Sequence, residues 1–334
     1  MIYEKIEALC APDGVVGRES NAAQAAAKLF SQVCDSVRID VMGNVIGFKK
    51  GLDTNKTIAL EAHIDEIGLI IREIDEYGFL HFARLGGVDC ANLLASEVII
   101  HGETPVYGVV CCKPPHLLAP EDRSSAPVYK DMVIDIGYDA ENAKKLVSIG
   151  DTATVISPLA HLCDTRIVAR AIDDRAGVAV IEHALSLCGE IPPCNVYLLA
   201  TVREEVGGYG ARTAAYSIPA DEVICVDVSH AFSPGLKKDE CGELGKGPMI
   251  GVAPILNKKM TRCLSDIAEK NEIPTQIEIM TDDTGTNSTD FARACFPCAL
   301  ISLPLRYMHT QQEVADLSDL ENAAKLISLY IKEV

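Results

Sequence analysis

Tryptophan is missing from this sequence, and aromatic residues make up only 5% of it. Few flat rings are therefore available as a platform for sugars. No basic run of five or more residues occurs, and 48 acidic against 30 basic side chains leave a formal net charge of −18. That charge repels a nucleic-acid backbone and an anionic membrane face alike. No apolar run approaches the roughly 20 residues of a membrane span. The opening "MIYEKIEALCAPDG" lacks a basic segment followed by an apolar core, so it does not read as a secretory signal. No second C-x-x-C accompanies "CFPC". Cys295 and Cys298 are thus expected to be buried structural thiols at a strand entry, not half of a zinc site or a redox pair. With no export signal, the odd count of thirteen cysteines reads as reduced thiols in a cytoplasmic protein.

What remains is an ordinary folding composition, 48% hydrophobic and 23% charged. The 334 residues suggest two domains. "SNAAQAAAKLFSQVC" is an amphipathic helix with Ser20 or Asn21 as its cap. "SVRIDVMGNVIGFKK" reads as two strands around Met42-Gly43-Asn44, and "TIALEAH" as a buried strand ending near His63. From about Gly68 to Cys163 the texture changes to short strands and turns, with one helical stretch, "DAENAKKLVSIG". Such spacing suggests a small β-barrel or sandwich. Beyond it strands and helices alternate to the end of the chain. That rhythm argues for a mostly parallel sheet covered on both faces. The β-rich block reads as an insertion into an α/β domain.

Five short segments put acidic or imidazole groups where a strand gives way to a loop, the place where ligands collect in such folds. They are "HIDEIG" with His63 and Asp65, "AIDDRAG" with Asp173 and Asp174, "REEVGG" with Glu204 and Glu205, "VDVSH" with Asp227, and "RYMHT" with His309. Each alone has a plainer reading: a helix cap for the aspartates, a solvated loop for the glutamates, a satisfied polar side chain for either histidine. His81, His101, His116, His161, His183 and His230 keep that plainer reading. Together, two histidines and three carboxylates make a donor set for two borderline divalent cations such as zinc or cobalt. One shared carboxylate can bridge them, and a water between two close cations is acidified. A carboxylate beside a ligand carboxylate is placed to take that water's proton, which is a reason for a glutamate doublet. Asp65 can orient the ring of His63.

In this order, "AHIDEIG", "ARAIDDRAG", "TVREEVGGYGA", "VDVSHA" and "RYMHTQQEVADLSDL" resemble the blocks of the glutamyl, or tetrahedral, aminopeptidases. These are cytoplasmic dinuclear metallopeptidases whose members are sometimes labelled endoglucanases. "GVVCCKPPHLL" and "MVIDIGY" in the inserted block fit the same pattern, so the resemblance spans essentially the whole chain. It implies an α/β fold: a three-layer α/β/α metallopeptidase domain, residues 1–66 and 164–334, with an inserted small β-barrel, residues 67–163, that serves dimerisation. It implies two zinc or cobalt ions per subunit. His63 and His309 would be terminal ligands of different metals, Asp173 the bridge, and Glu205 and Asp227 the remaining ligands. Glu204 would be the general base and Asp65 the residue behind His63. Where the family often has a Gly-Thr-Asp-Ala-like run, this chain has "TDDTGTNSTDFARAC". Thr286, Asn287, Ser288, Thr289 and Asp290 are expected to line the substrate side.

The resulting expectation is an aminopeptidase acting on short peptides, a homo-oligomer built from dimers, with a twelve-subunit hollow tetrahedron as the family's frequent assembly. A glycoside hydrolase with paired carboxylates leaves His63 and His309 unexplained. A deacylase of the same metal clan is closer, and a panel of aminoacyl against N-acyl substrates separates it. A non-catalytic peptide-binding scaffold would have no use for Glu204.

Overall fold

The computed structural model describes residues 1–117, 119 and 127–333. Leu118, which ends the "GVVCCKPPHLL" block, lies outside them. Contacts divide the chain into two units. The first holds Met1–Asp65, Pro158–Met308 and the chain from Gln312 onward. The second holds Glu66–Ser157 with His309–Gln311. Residues 158–163, expected in the insertion, thus group with the first unit.

The chain begins with α1 (Ile2–Cys10) and α2 (Ser20–Phe30), then β1 (Ser36–Ile39), β2 (Val45–Lys49) and β3 (Asp53–His63). The cap of α2 is Glu19, not Ser20 or Asn21. Ser20 is already helical, and Asn21 donates instead to Asp13 Oδ1 at 2.8 Å.

The second unit is a closed barrel of β4 (Gly68–Ile74), β5 (Leu80–Leu85), β6 (Glu97–His101), β7 (Pro105–Cys112), β8 (Met132–Asp135) and β9 (Thr152–Val155), in the order β4-β5-β8-β7-β6-β9. Alternate side chains such as Leu69, Ile71, Leu80, Phe82, Val98 and Ile100 fill its interior, as the two-residue period of a strand requires. One helix, α3 (Ala140–Leu146), is started by Asp139, whose carboxylate accepts the Asn142 N–H at 2.9 Å.

Back in the first unit come β10 (Ala160–His161), β11 (Arg166–Ala169), α4 (Ile172–Leu187), β12 (Cys194–Thr201), α5 (Tyr209–Ala215), β13 (Glu222–His230) and β14 (Met249–Val252). These are followed by α6 (Lys258–Lys270), β15 (Gln276–Ile279), α7 (Ser288–Arg293), β16 (Cys298–Leu305), β17 (Glu313–Asp316) and α8 (Leu317–Glu333). Eight strands form one sheet, ordered β1-β2-β12-β3-β13-β16-β14-β15. Its centre, β12-β3-β13-β16, is parallel, whereas β2 joins β12 and β14 joins β16 antiparallel. Along β3 the layers can be read residue by residue. Ile58 and Leu60 pack into the core shared with α1, α2, α4, α6 and α8, while Ala59 packs into the core shared with α5 and α7. This is a three-layer α/β/α domain.

Among the described residues no helix is long and apolar enough to cross a membrane. No disulfide joins the cysteines, and Cys298 is buried at the start of β16 as expected. Cys295 is exposed, which corrects the expectation of a buried pair. It sits in a left-handed turn, φ +68°, before the strand begins.

Candidate metal centre

Because β3, β12 and β13 run parallel, their carboxyl ends meet at one edge. Thr201 pairs with His63, and Cys225 pairs with Glu61, so Asp227 comes level with His63. The start of α4 closes over that edge. Asp173 and Asp174 carry non-helical backbone angles there, and the peptide between them is cis. Their carboxylates diverge. Asp174 Oδ1 accepts the Gly177 N–H at 3.2 Å, as a helix cap does, and Oδ2 accepts the His63 N–H at 3.3 Å. Asp173 faces the His63 ring.

His63 Nε2 lies 3.0 Å from Asp173 Oδ1 and 3.9 Å from Asp227 Oδ1. On its other side Nδ1 lies 3.2 Å from the Asp65 carbonyl and 3.5 Å from Asp65 Oδ1. The ring is thus oriented from behind by Asp65, with Nε2 turned to the carboxylates. His63, Asp173 and Asp227 each bring a possible ligand atom within 4.8 Å of the others, and Asp173 is within the same reach of Glu205. His63, Asp173 and Asp227 are all buried.

The glutamate doublet sits on a turn held at both ends. Asp65 accepts the N–H of Glu204 at 3.0 Å and of Glu205 at 3.1 Å. Asn44, read from the sequence as a mere turn residue, accepts the Val202 N–H at 3.1 Å and donates to the Gly210 carbonyl at 3.1 Å. Arg203 adopts φ +60° between them. Gly207 and Gly208 also take positive φ, and the Gly208 N–H closes the turn onto the carbonyls of Arg203 and Glu204.

The electrostatics describe a largely buried pocket in which crowded carboxyl groups are held toward their protonated forms. Burial, and then neighbouring carboxylates, hold Asp174 and Asp227 well above the usual carboxylate range. Burial pushes Glu204 up to about 8, with His63 opposing and Glu205, Asp65 and Asp173 reinforcing. Burial alone would lower His63. The hydrogen bonds to Asp173 and Asp65 outweigh it and hold the imidazolium well above its ordinary value. A divalent cation among these imidazole and carboxylate donors would favour their ionised forms, and the donor types suit a borderline metal.

Other expected residues are placed differently. Asn287, Ser288 and Asp290 are buried, while Thr286 is half-buried. Asn287 donates to Glu61 Oε1 at 2.8 Å and to Thr201 Oγ at 3.0 Å, and Asp290 pairs with Arg212 at 2.7 Å. The Thr286 and Ser288 hydroxyls bond to each other and to Thr284, which also reaches Thr289. His309 groups with the barrel unit and has φ +61°. A Cβ on Gly87 would fall inside contact distance of its Nδ1, so glycine there leaves the ring its room. His101, bonded to Thr154 Oγ at 2.9 Å, and His183, 2.9 Å from Glu321, are satisfied polar side chains. Glu61 escaped the sequence reading. The signal was a carboxylate inside the apolar run "TIALEAH", which burial raises and which Thr201 and Asn287 satisfy.

The family described as "M42 glutamyl aminopeptidase" matches residues 43–326. The lysyl aminopeptidase of Pyrococcus furiosus is 34% identical over 312 residues, 92% of this chain and 89% of that protein. An aminopeptidase from the archaeon Desulfurococcus kamchatkensis superposes with a TM-score of 0.93 at 36% identity, covering 100% of this chain and 95% of that one. The TET1 peptidase of Pyrococcus horikoshii, which can assemble into a tetrahedron or a large octahedral shell, superposes with a TM-score of 0.88 at 30% identity over the whole of both chains. Sequence and fold therefore agree over the full length, and the chain belongs to the M42 glutamyl aminopeptidases, a family of metallopeptidases that hydrolyse peptide bonds.

Proposed function

We propose that this aminopeptidase releases N-terminal residues from short peptides with two divalent metal ions, zinc or cobalt, and Glu204 as general base. The observation that carries the reading is the position of Asp173, whose carboxylate is within reach both of His63 with Asp227 and of Glu205. One ion would be held by His63, Asp227 and Asp173. The other would be held by Asp173, Glu205 and His309. Bound there, the pair supplies Lewis-acid polarisation of the scissile carbonyl and acidifies a water.

The chain's own residues do the rest. Glu204 takes the proton of the attacking water and passes it to the leaving amine. Asp65 holds the backbone of Glu204 and Glu205 and faces Nδ1 of His63, so one carboxylate orients base and ligands together. Of residues 286–290 Thr286 alone is not buried, so it is the one of these that would meet the peptide. Asn287, Ser288 and Asp290 shape that side from behind.

The thiols, none in a disulfide, favour a reducing cytoplasmic setting. The barrel, with strand edges closed on themselves, serves as the dimer-forming insertion of a larger homo-oligomer, for which the assembly of the TET1 relative is the support. Static light scattering reads the assembly directly. The function is tested by stripping metal, adding back zinc or cobalt, and screening aminoacyl p-nitroanilides against N-acyl amino acids. Metal-dependent cleavage of the free-amine substrates alone is the expected result. Preference for N-acyl substrates would replace the reading with a deacylase.

A further inference from the structure

Among the described residues Arg175 is the bulkiest fully buried side chain, at 0% exposure. Its guanidinium reaches three main-chain carbonyls in two separate segments. Nε donates to Ile64 O at 3.2 Å, and Nη1 donates to Leu9 O at 2.9 Å and to Pro12 O at 2.6 Å. Ile64 is the residue between His63 and Asp65. One position earlier in α4, Asp174 accepts the N–H of His63. Two consecutive residues of α4 thus hold two consecutive residues of the turn that ends β3, one by its N–H and the other by its C=O. The space for the guanidinium is kept by Gly14, where a Cβ would collide with Nη2 and with the Ala22 methyl.

Burying a cation is costly unless its donors are matched by acceptors. An apolar side chain could fill the same volume without that cost, but it could not fix a carbonyl. Lysine could not do the same either. Its donors radiate from one atom, whereas the guanidinium presents Nε and Nη1 in a rigid fork toward different segments.

We infer that Arg175 is a positioning residue for the metal centre: by gripping the Ile64 carbonyl it fixes the turn from which His63 and Asp65 project. The inference rests on the assignment of His63 as a metal ligand. A role confined to joining α1 to the domain would lower stability and leave metal affinity of the folded protein untouched.

The test uses the full-length protein, stripped of metal and titrated with zinc by calorimetry and with cobalt by visible absorption. Arg175→Lys, Gly14→Ala and His63→Ala are compared with the parent, with circular dichroism to establish folding. Arg175→Lys is expected to fold and to bind one ion about tenfold or more weakly, as loss of an orienting partner does. The second ion's affinity should be retained and the cobalt spectrum altered. Gly14→Ala, which displaces the guanidinium without removing it, should move the same site by less, and it decides the matter alone if Arg175→Lys does not fold. A weakened His63→Ala beside a folded Arg175→Lys with unchanged zinc isotherms would overturn this inference only. An unchanged His63→Ala would overturn the ligand assignment and this inference with it.

Discussion

The carboxylate of Asp65 accepts the backbone N–H of Glu204 at 3.0 Å. It takes the next N–H, that of Glu205, on its other oxygen at 3.1 Å, and the same group lies 3.5 Å from His63 Nδ1. One fully buried side chain therefore spans the backbone of Glu204 and Glu205 and the back of the His63 ring.

Asp65→Asn is expected to disturb all three at once. The amide keeps one acceptor but turns an NH₂ toward the second N–H, which loses its partner. We expect metal affinity and kcat each to fall about 10–100-fold, the usual effect of removing a partner behind a ligand. Calorimetric titration and steady-state kinetics on one preparation check this. Unchanged values in both would show that Asp65 only shapes the turn.

The doublet separates by substitution. Glu204→Gln should keep both ions and lose kcat on the order of 10²-fold or more, because a positioned base has gone. Glu205→Gln should lose an ion as well. Elemental analysis after dialysis distinguishes the two, and equal occupancy in both variants would reject the division of roles.

Metal uptake should release protons. Without a cation, burial holds Glu204 at about 8, so at pH 7 it keeps its proton and cannot act as a base. Asp174 and Asp227 are raised in the same sense. A nearby cation favours the ionised form and drives these protons off. Zinc binding at pH 7 should therefore liberate on the order of one proton or more per subunit, and affinity should rise with pH from the acid side up to Glu204's range. The slope of binding enthalpy against buffer ionisation enthalpy measures the release. A flat line would contradict a proton-loaded site.

Much of this centre was legible before the fold was known, for a local reason. Apolar runs such as "IALEA", "VYLLAT" and "VICVDV" announce buried parallel strands, and polar groups at their ends mark the edge where a ligand can sit. The supporting residues were hidden because their partners are remote in sequence. Asp174 looks like a cap and is one, yet its other oxygen holds the His63 N–H, 111 positions away. Glu61 is satisfied by Asn287, 226 positions away, which no local pattern announces. Asn44 looked like the tip of a hairpin because its bonds to Val202 and Gly210 exist only after folding.

The last prediction concerns His309, whose ring stands over Gly87. Any side chain on Gly87 must displace that imidazole, because the Cβ would fall within contact distance of Nδ1, Cε1 and Cγ. If His309 is a terminal ligand, Gly87→Ala should mimic a mild His309→Ala without touching a donor atom. Both should weaken one ion and spare the other. Asp173→Asn should weaken both, since its carboxylate would be the one shared by the two groups. Zinc isotherms of the three variants should therefore show one, one and two altered sites, with Gly87→Ala the least affected. Should Gly87→Ala and His309→Ala both retain the parental two-site isotherm, His309 is not a ligand, and the second ion must be held by Asp173 and Glu205 with some other donor.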